Sequence, residues 1–530
     1  MDQPLYEIKS LSYRYPDGKS ALKEIDLTIY KNDKIALVGQ NGSGKTTFVK
    51  HLNGILQGKS EKFLYKGRPI NDELKKLRLE IGMVFQDADD HLFCNTLYED
   101  IAFGLVNKKF ENAEVKERVF QALKLVGLDN LIYKSPNNLS YGQKKRAAFA
   151  AVIAMEPDVL ILDEPTANLD PKQEKIFLEL LSKYKGTLIC ITHDLVFAYG
   201  ICERAVVLKN GMIHHDYSLK DLISQKSSLR EHGLDFSFRF SCCHEDGKHF
   251  HGPYGHNHHP SDHVEEKKHP TITSSDTDIF EVLRFNNYSY KYPDGSSAIK
   301  NIDISIKKGE SLAFIGENGA GKSTLASCII GINKGQGDYY FNGASVNEKY
   351  RKNLWKYCGL VFQNSEDQLF CPSCFEEVAF GPKQLGLKKQ EIEERVFEAL
   401  SLVKLQGYEK RVPHHMSGGE KKRLSIASIL SMKPEVLILD EPTASLDPEN
   451  EEILIEILKK INSTKILISH DLFFISMLCP RTIVMHNGNL IRDYKTYEFL
   501  NDEKLTSING VDYTFKNQCC HEIIKSWEQI

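Results

Sequence analysis

Two glycine-rich runs could do chemistry: Gly39-Gln-Asn-Gly-Ser-Gly-Lys45-Thr46 and Gly316-Glu-Asn-Gly-Ala-Gly-Lys322-Ser323. Both fit the pattern G-x-x-x-x-G-K-[ST], whose glycines let backbone N–H groups curl around phosphate oxygens while the helix that follows adds a favourable dipole. The lysine can reach the outer phosphates, and the Thr46 or Ser323 hydroxyl can ligate a magnesium ion. Later, "VLILDE" at 159–164 and again at 436–441 is an apolar run ending in two carboxylates. Asp163 and Asp440 would reach the magnesium. Glu164 and Glu441 would face the terminal phosphate, where a carboxylate can orient or deprotonate an attacking water. "ITHD" and "LISHD" put His193 and His470 directly after another β-branched run. A lone histidine at a strand end is ordinarily structural, but the same histidine after the same acidic strand in two places favours a part in the chemistry.

The flanks name the elements that must hold these groups. "KIALVG" at 34–39 reads as a buried parallel strand, and "TFVKHLNGI" after the loop has helical character. Everything is written twice. "SYRYPDG" at Ser12 returns at Ser289, the glycine run at Gly39 returns at Gly316, "VFQ" ending at Gln86 returns ending at Gln363, and "LILDEPTANLD" at Leu160 returns at Leu437, each 277 residues on. A repeat of that length is a duplicated domain, not a solenoid unit. The reading is one domain over 1–243, a linker over 244–279 and a second domain over 280–530. The linker is rich in His, Pro, Ser, Asp and Lys and cannot bury enough apolar surface to fold alone.

Composition bounds the class. A chain of 530 residues suggests two to four domains, and 41% hydrophobic with 26% charged residues reads as ordinary globular protein. A formal charge of −4 argues against a whole-protein nucleic-acid binder. No stretch approaches the ~18 apolar residues needed to cross a bilayer, and "MDQPLYEIKS" lacks the layout of a secretory signal. The twelve cysteines therefore read as reduced thiols. Work at a membrane would require a partner to supply the membrane part.

"LSYGQKKR" at Leu139 and "MSGGEKKR" at Met416 narrow the family. Each resembles the signature loop of ATP-binding-cassette (ABC) ATPases, and the resemblance covers nearly the whole chain apart from the linker. It implies two tandem P-loop α/β cassettes, each with a RecA-like core, an antiparallel β part and a helical subdomain, using ATP and Mg²⁺. It implies nucleotide contacts from the aromatics Tyr15 and Tyr292, each 24 residues before its phosphate loop, and from the loop residues Gly39, Asn41, Gly42, Ser43, Gly44, Lys45, Thr46 and Thr47. Their second-copy counterparts are Gly316, Asn318, Gly319, Ala320, Gly321, Lys322, Ser323 and Thr324. The Q-loop residues Gln86 and Gln363, the signature residues Ser140, Gly142, Ser417, Gly418 and Gly419, and the D-loop residues Asp170 and Asp447 complete the set. Magnesium would be held by Thr46, Gln86 and Asp163, and by Ser323, Gln363 and Asp440; Glu164, His193, Glu441 and His470 would be catalytic. In that family two cassettes close head to tail, each ATP lying between one phosphate loop and the other signature loop. This chain departs from the family's "LSGGQ" at Tyr141, which replaces the first glycine, and at Glu420, which replaces the glutamine. Loss of a glycine removes backbone freedom near phosphate, which puts the site on Lys322 in doubt.

After each Q-loop comes "DADDHLFCNTLYEDIAFG" (87–104) or "NSEDQLFCPSCFEEVAFG" (364–381). These segments look like those of energy-coupling-factor (ECF) importer ATPases, above all the cobalt and nickel branch. There they form a groove for a membrane scaffold subunit. The implied partners are that scaffold (T) subunit and a membrane substrate-binding (S) component, with the chain at the cytoplasmic face of the cell membrane. Biotin, thiamine precursors or riboflavin are alternative cargoes in the ECF group. The rival class is the tandem ABC protein that acts on ribosomes, which carries a long basic connector where this chain has a short His/Pro/Asp segment. Coiled-coil cassettes are excluded because Lys45 and Asp163 lie 118 residues apart without sustained heptads. His249, His251, His256, His258, His259 and His263 fill the linker's start and suit nickel, cobalt or zinc. The "CCHE" at Cys242 and Cys519 is either a metal site or an inherited tail contact.

Overall fold

The computed structural model describes residues 4–224 and 280–500, apart from residues 17, 73, 168, 170, 193 and 445. The histidine tract and both "CCHE" segments lie outside the described residues, as do His193 and Asp170. Two compact units divide the chain between the two repeats.

In the first unit, β1 (Pro4–Arg14), β2 (Ser20–Tyr30), β4 (Lys62–Tyr65) and β5 (Arg68–Pro69) form an antiparallel sheet in the order β2-β1-β4-β5. A second sheet has the order β10-β9-β3-β8-β7-β6, from β3 (Lys34–Val38), β6 (Ile81–Val84), β7 (Val159–Asp163), β8 (Thr187–Ile191), β9 (Arg204–Lys209) and β10 (Met212–Ser218). Of its five pairings four are parallel, and only β9 with the edge strand β10 is antiparallel. Every residue of β7 and β8 is buried, as expected where helices cover both faces of a parallel sheet. That is why these strands are continuous apolar runs and not alternating ones.

Between β6 and β7 three helices, Leu97–Asn107, Asn112–Leu125 and Tyr141–Ile153, pack together. Leu97, Ile101 and Leu105, then Val115, Val119, Ala122 and Leu123, are buried at helical spacing on facing stripes. A capping box between Thr96 and Glu99 starts the first of them.

The second unit repeats this. β11 (Glu281–Lys291), β12 (Ser297–Lys307), β14 (Gln336–Phe341) and β15 (Ala344–Ser345) form the order β12-β11-β14-β15. β13 (Ser311–Ile315), β16 (Cys358–Val361), β17 (Val436–Asp440), β18 (Thr464–Ile468), β19 (Arg481–His486) and β20 (Asn489–Lys495) give β16-β17-β18-β13-β19-β20. Register is also duplicated: Asp163 opposes Ile191, and Asp440 opposes Ile468. The α/β class with parallel core, antiparallel part and helical part is thus present in both halves.

Candidate functional site

The phosphate loop runs from the end of β3 to the helix Lys45–Leu52. Gly39 has φ +147°, and a Cβ there would overlap the Leu208 carbonyl oxygen, so only glycine fits. Gly316 is placed the same way against Met485. Gly44 and Gly321 stand at left-handed φ directly before their helices, and no side chain caps either helix start. First-turn N–H groups left without a side-chain cap are a ready anion site.

Lys45 is buried, and its Nζ donates to the carbonyls of Gly39 at 2.6 Å and Gln40 at 2.9 Å. Lys322 does the same with Gly316 at 2.6 Å and Glu317 at 3.0 Å. Burial lowers the Lys45 pKa, while Glu164 and Asp163 hold it up. Tyr15 Oη lies 2.9 Å from Thr47 Oγ1, and Tyr292 Oη 2.8 Å from Thr324 Oγ1, which sets each tyrosine ring beside its phosphate-loop helix.

Asp163 and Asp440 end β7 and β17. Burial raises both carboxyls, and hydrogen bonds from Thr46 and Ser323 respectively pull them back. β6 runs beside β7, and β16 beside β17, so Gln86 and Gln363 emerge at the same sheet edge as these carboxylates. Hydroxyl, carboxylate and amide oxygens are the hard donors that magnesium takes, so the residues present fit that ion.

Glu164 and Glu441 follow at φ +46° and +42°, a strained region for a non-glycine residue that costs about 1–3 kcal/mol. Their N–H groups bond to Ile191 and Ile468 across the sheet. Burial pushes the Glu441 carboxyl up to about 8, against the pull of Lys322. His470 joins it: the His470 N–H donates to Glu441 Oε2 at 3.3 Å, and its Nε2 lies 3.4 Å from Oε1, 3.3 Å from Asn318 Oδ1 and 3.5 Å from Lys322 Nζ. Asp447 stands directly before the helix Pro448–Lys460.

The signature loops correct one expectation. Ser140 caps the helix Tyr141–Ile153 in a box with Gln143, and Ser417 caps Gly418–Leu430 in a box with Glu420. Glutamate and glutamine serve this box equally, so Glu420 costs nothing at the cap. Gly418 has no positive φ, and a Cβ there meets nothing within 4 Å. Its counterpart Tyr141 occupies the first helical position, so the lost glycine removes no conformation that this turn needs. The next glycine is the constrained one, because a Cβ on Gly419 would overlap the Asn450 side chain.

Some residues escaped the sequence reading. Asp100 Oδ1 accepts the N–H groups of Phe93 and Cys94, both at 2.9 Å, and Glu377 Oε2 accepts those of Phe370 and Cys371 at 2.9 and 2.7 Å. These buried carboxylates hold out Phe93 and Phe370, which are 66% and 65% exposed and meet Phe103 and Phe380 edge to face. His91 Nε2 accepts the Phe85 N–H at 2.8 Å, and Gln368 Oε1 the Phe362 N–H at 3.2 Å. Lys144 pairs with Asp89, and Lys421 with Glu366, both at 2.6 Å, tying each signature helix to the segment after its Q-loop. The duplicated Lys-Lys-Arg after each signature was the available signal.

The family model described as "ABC transporter" matches residues 22–167 and 299–444. A protein of Methanosarcina mazei, provisionally named an ABC transporter ATP-binding protein, is 33% identical over 95% of this chain and 92% of its own length. A protein of the same provisional name from Caldanaerobacter subterraneus is 30% identical over 94% and 92%. The solved structure of cbiO1 from Clostridium perfringens, described as part of the ABC transporter complex cbiONQ, is 38% identical over 45% of this chain and 97% of its own, with a TM-score of 0.39. The chain belongs to the ABC transporter family of ATP-binding proteins, and its two cassettes make it an ATPase.

Proposed function

We propose that this ATPase energises an ECF-type importer from the cytoplasmic face of the membrane, with nickel or cobalt ions as cargo. The observation that carries the reading is the two pairs of outward phenylalanines, Phe93 with Phe103 and Phe370 with Phe380, in the segments that resemble those of ECF ATPases. They are held out by buried carboxylates and are not core aromatics. No helix among the described residues is long and apolar enough to cross a membrane, so a scaffold subunit and a substrate-binding component would supply the membrane path.

In the chemistry, Lys45 and Lys322 with their loop N–H groups grip the phosphates, and Tyr15 and Tyr292 take the adenine face. Thr46 with Asp163 and Gln86, and Ser323 with Asp440 and Gln363, hold magnesium, which when bound neutralises phosphate charge. Glu164 and Glu441 orient the attacking water and receive its proton, and His470 steadies Glu441 through its N–H and ring.

Phe93→Glu and Phe370→Glu test the docking. The variants should keep ATP binding and melting temperature and lose co-purification with the membrane partners. Co-purification that survives both changes sinks the ECF reading. Replacing the six linker histidines with serine, then measuring nickel and cobalt uptake, tests the cargo; normal uptake transfers the reading to a vitamin.

A further inference from the structure

Lys145 and Lys422 occupy the same position of the two signature helices, 277 residues apart, and are 1% and 3% exposed. A buried ammonium must find acceptors for its protons. The two lysines find different ones. Lys145 Nζ donates to the carbonyls of Glu164 at 3.0 Å and Pro165 at 3.1 Å, in the turn that bears the reactive carboxylate. Lys422 Nζ donates instead to Phe362 at 3.0 Å and Gln363 at 2.8 Å, in the Q-loop. The acceptor segments are nearly the same in both halves, "VFQ" and "LDEPT". Two residues near the lysine differ: Asp87, whose charge acts on Lys145 from the Q-loop side, is Asn364 in the second half, and the first residue of the signature helix changes. Tyr141 stands where the second half has Gly418; its ring lies 5.7 Å from Lys145 Nζ, and its hydroxyl donates to the Gln86 carbonyl at 3.4 Å, a long bond. That carbonyl is the counterpart of the Gln363 oxygen that Lys422 holds.

We propose that Lys145 and Lys422 are positioning residues, a buried ammonium that clamps either the catalytic turn or the Q-loop, and that Tyr141 sets the choice in the first half. The tyrosine hydroxyl takes the Q-loop acceptor and its ring shields that direction, so Lys145 settles on the Glu164 turn. With glycine at 418 the Q-loop acceptor is open and Lys422 takes it. The first half therefore has its catalytic turn fixed from the signature helix, while in the second half that helix fixes the Q-loop. The two halves of one chain hold the two ends of a switch whose acceptors both exist in each.

The test is hydrogen exchange read by mass spectrometry on the full chain without nucleotide. Lys145→Met removes the charge without opening a large cavity. It should raise exchange severalfold in the peptide spanning 159–167 and leave 85–91 unchanged. Lys422→Met should raise exchange across 362–368 and leave 436–444 unchanged. In a Tyr141→Gly background the effect of Lys145→Met should move to 85–91. With MgATP, Lys145→Met should lower kcat by roughly tenfold or more through misplacement of Glu164. The idea is overturned if both lysine changes loosen the same element, or if Tyr141→Gly leaves the Lys145→Met pattern where it was. Should the methionine variants fail to fold, Tyr141→Gly alone decides. It keeps the buried charge and should transfer protection from 164–167 to 85–87, and an unchanged pattern rejects the proposal.

Discussion

His91→Gln gives the first half the anchor that Gln368 provides in the second. His91 accepts the Phe85 N–H through Nε2, beside Gln86, and its ring lies 4.8 Å from the Phe85 ring. A protonated imidazole cannot accept that bond, and burial pushes its pKa down from 6.5 to about 4. On acidification the unfolded chain binds this proton from about pH 6.5 downward, whereas the folded chain resists until about 4. Stability is therefore lost as pH falls through that window. The stabilisation lost between pH 7.5 and pH 5 is at most about 2 kcal/mol, less some screening at the partly exposed ring edge. For a unit of this size that is an upper limit of about 4–8 °C in Tm. Glutamine at 91 keeps an acceptor for Phe85 and removes the proton. Thermal unfolding of wild type and His91→Gln at pH 7.5 and pH 5 should show the variant losing less Tm on acidification, because every other titrating group is common to both. Equal losses would refute the claim that a neutral His91 anchors the Q-loop.

Gly39→Ala should abolish nucleotide binding in the first half, since its Cβ would overlap Leu208, whereas Gly418→Ala should bind ATP analogues and melt as wild type; titration calorimetry separates them. Asp100→Ala strips the acceptor from two N–H groups and should cost about 1–3 kcal/mol, read as a lowered Tm together with weaker partner docking. Glu164→Gln and Glu441→Gln should each slow steady-state ATP turnover to a similar degree, because Tyr141 removes no conformation that the signature turn needs, and a several-fold weaker effect of Glu441→Gln would restore the doubt over the site on Lys322.

The cassettes were legible because their chemistry is local. A glycine at φ +147° beside a strand, and an apolar strand ending in Asp-Glu, are fixed by a few consecutive residues. The duplication at 277 residues carried strand order and register with it. What stayed hidden depends on contacts across the fold. Lys145 reads as one more surface lysine in a basic run until the helix buries it against Glu164. Asp100 and Glu377 read as helix N-terminal charges until the chain brings the turns of Phe93 and Phe370 onto them. Tyr141 was read as a backbone defect because its motif has glycine there. A helical first position tolerates any side chain, so its consequence lies in what the ring and hydroxyl touch.

ATP turnover by the full chain carrying Glu164→Gln and Glu441→Gln together tests the central claim most directly. With the water-orienting carboxylates gone and the phosphate loops intact, turnover should fall by roughly a hundredfold or more while ATP binding persists. A double variant that hydrolyses ATP at the wild-type rate would contradict the assignment of both sites.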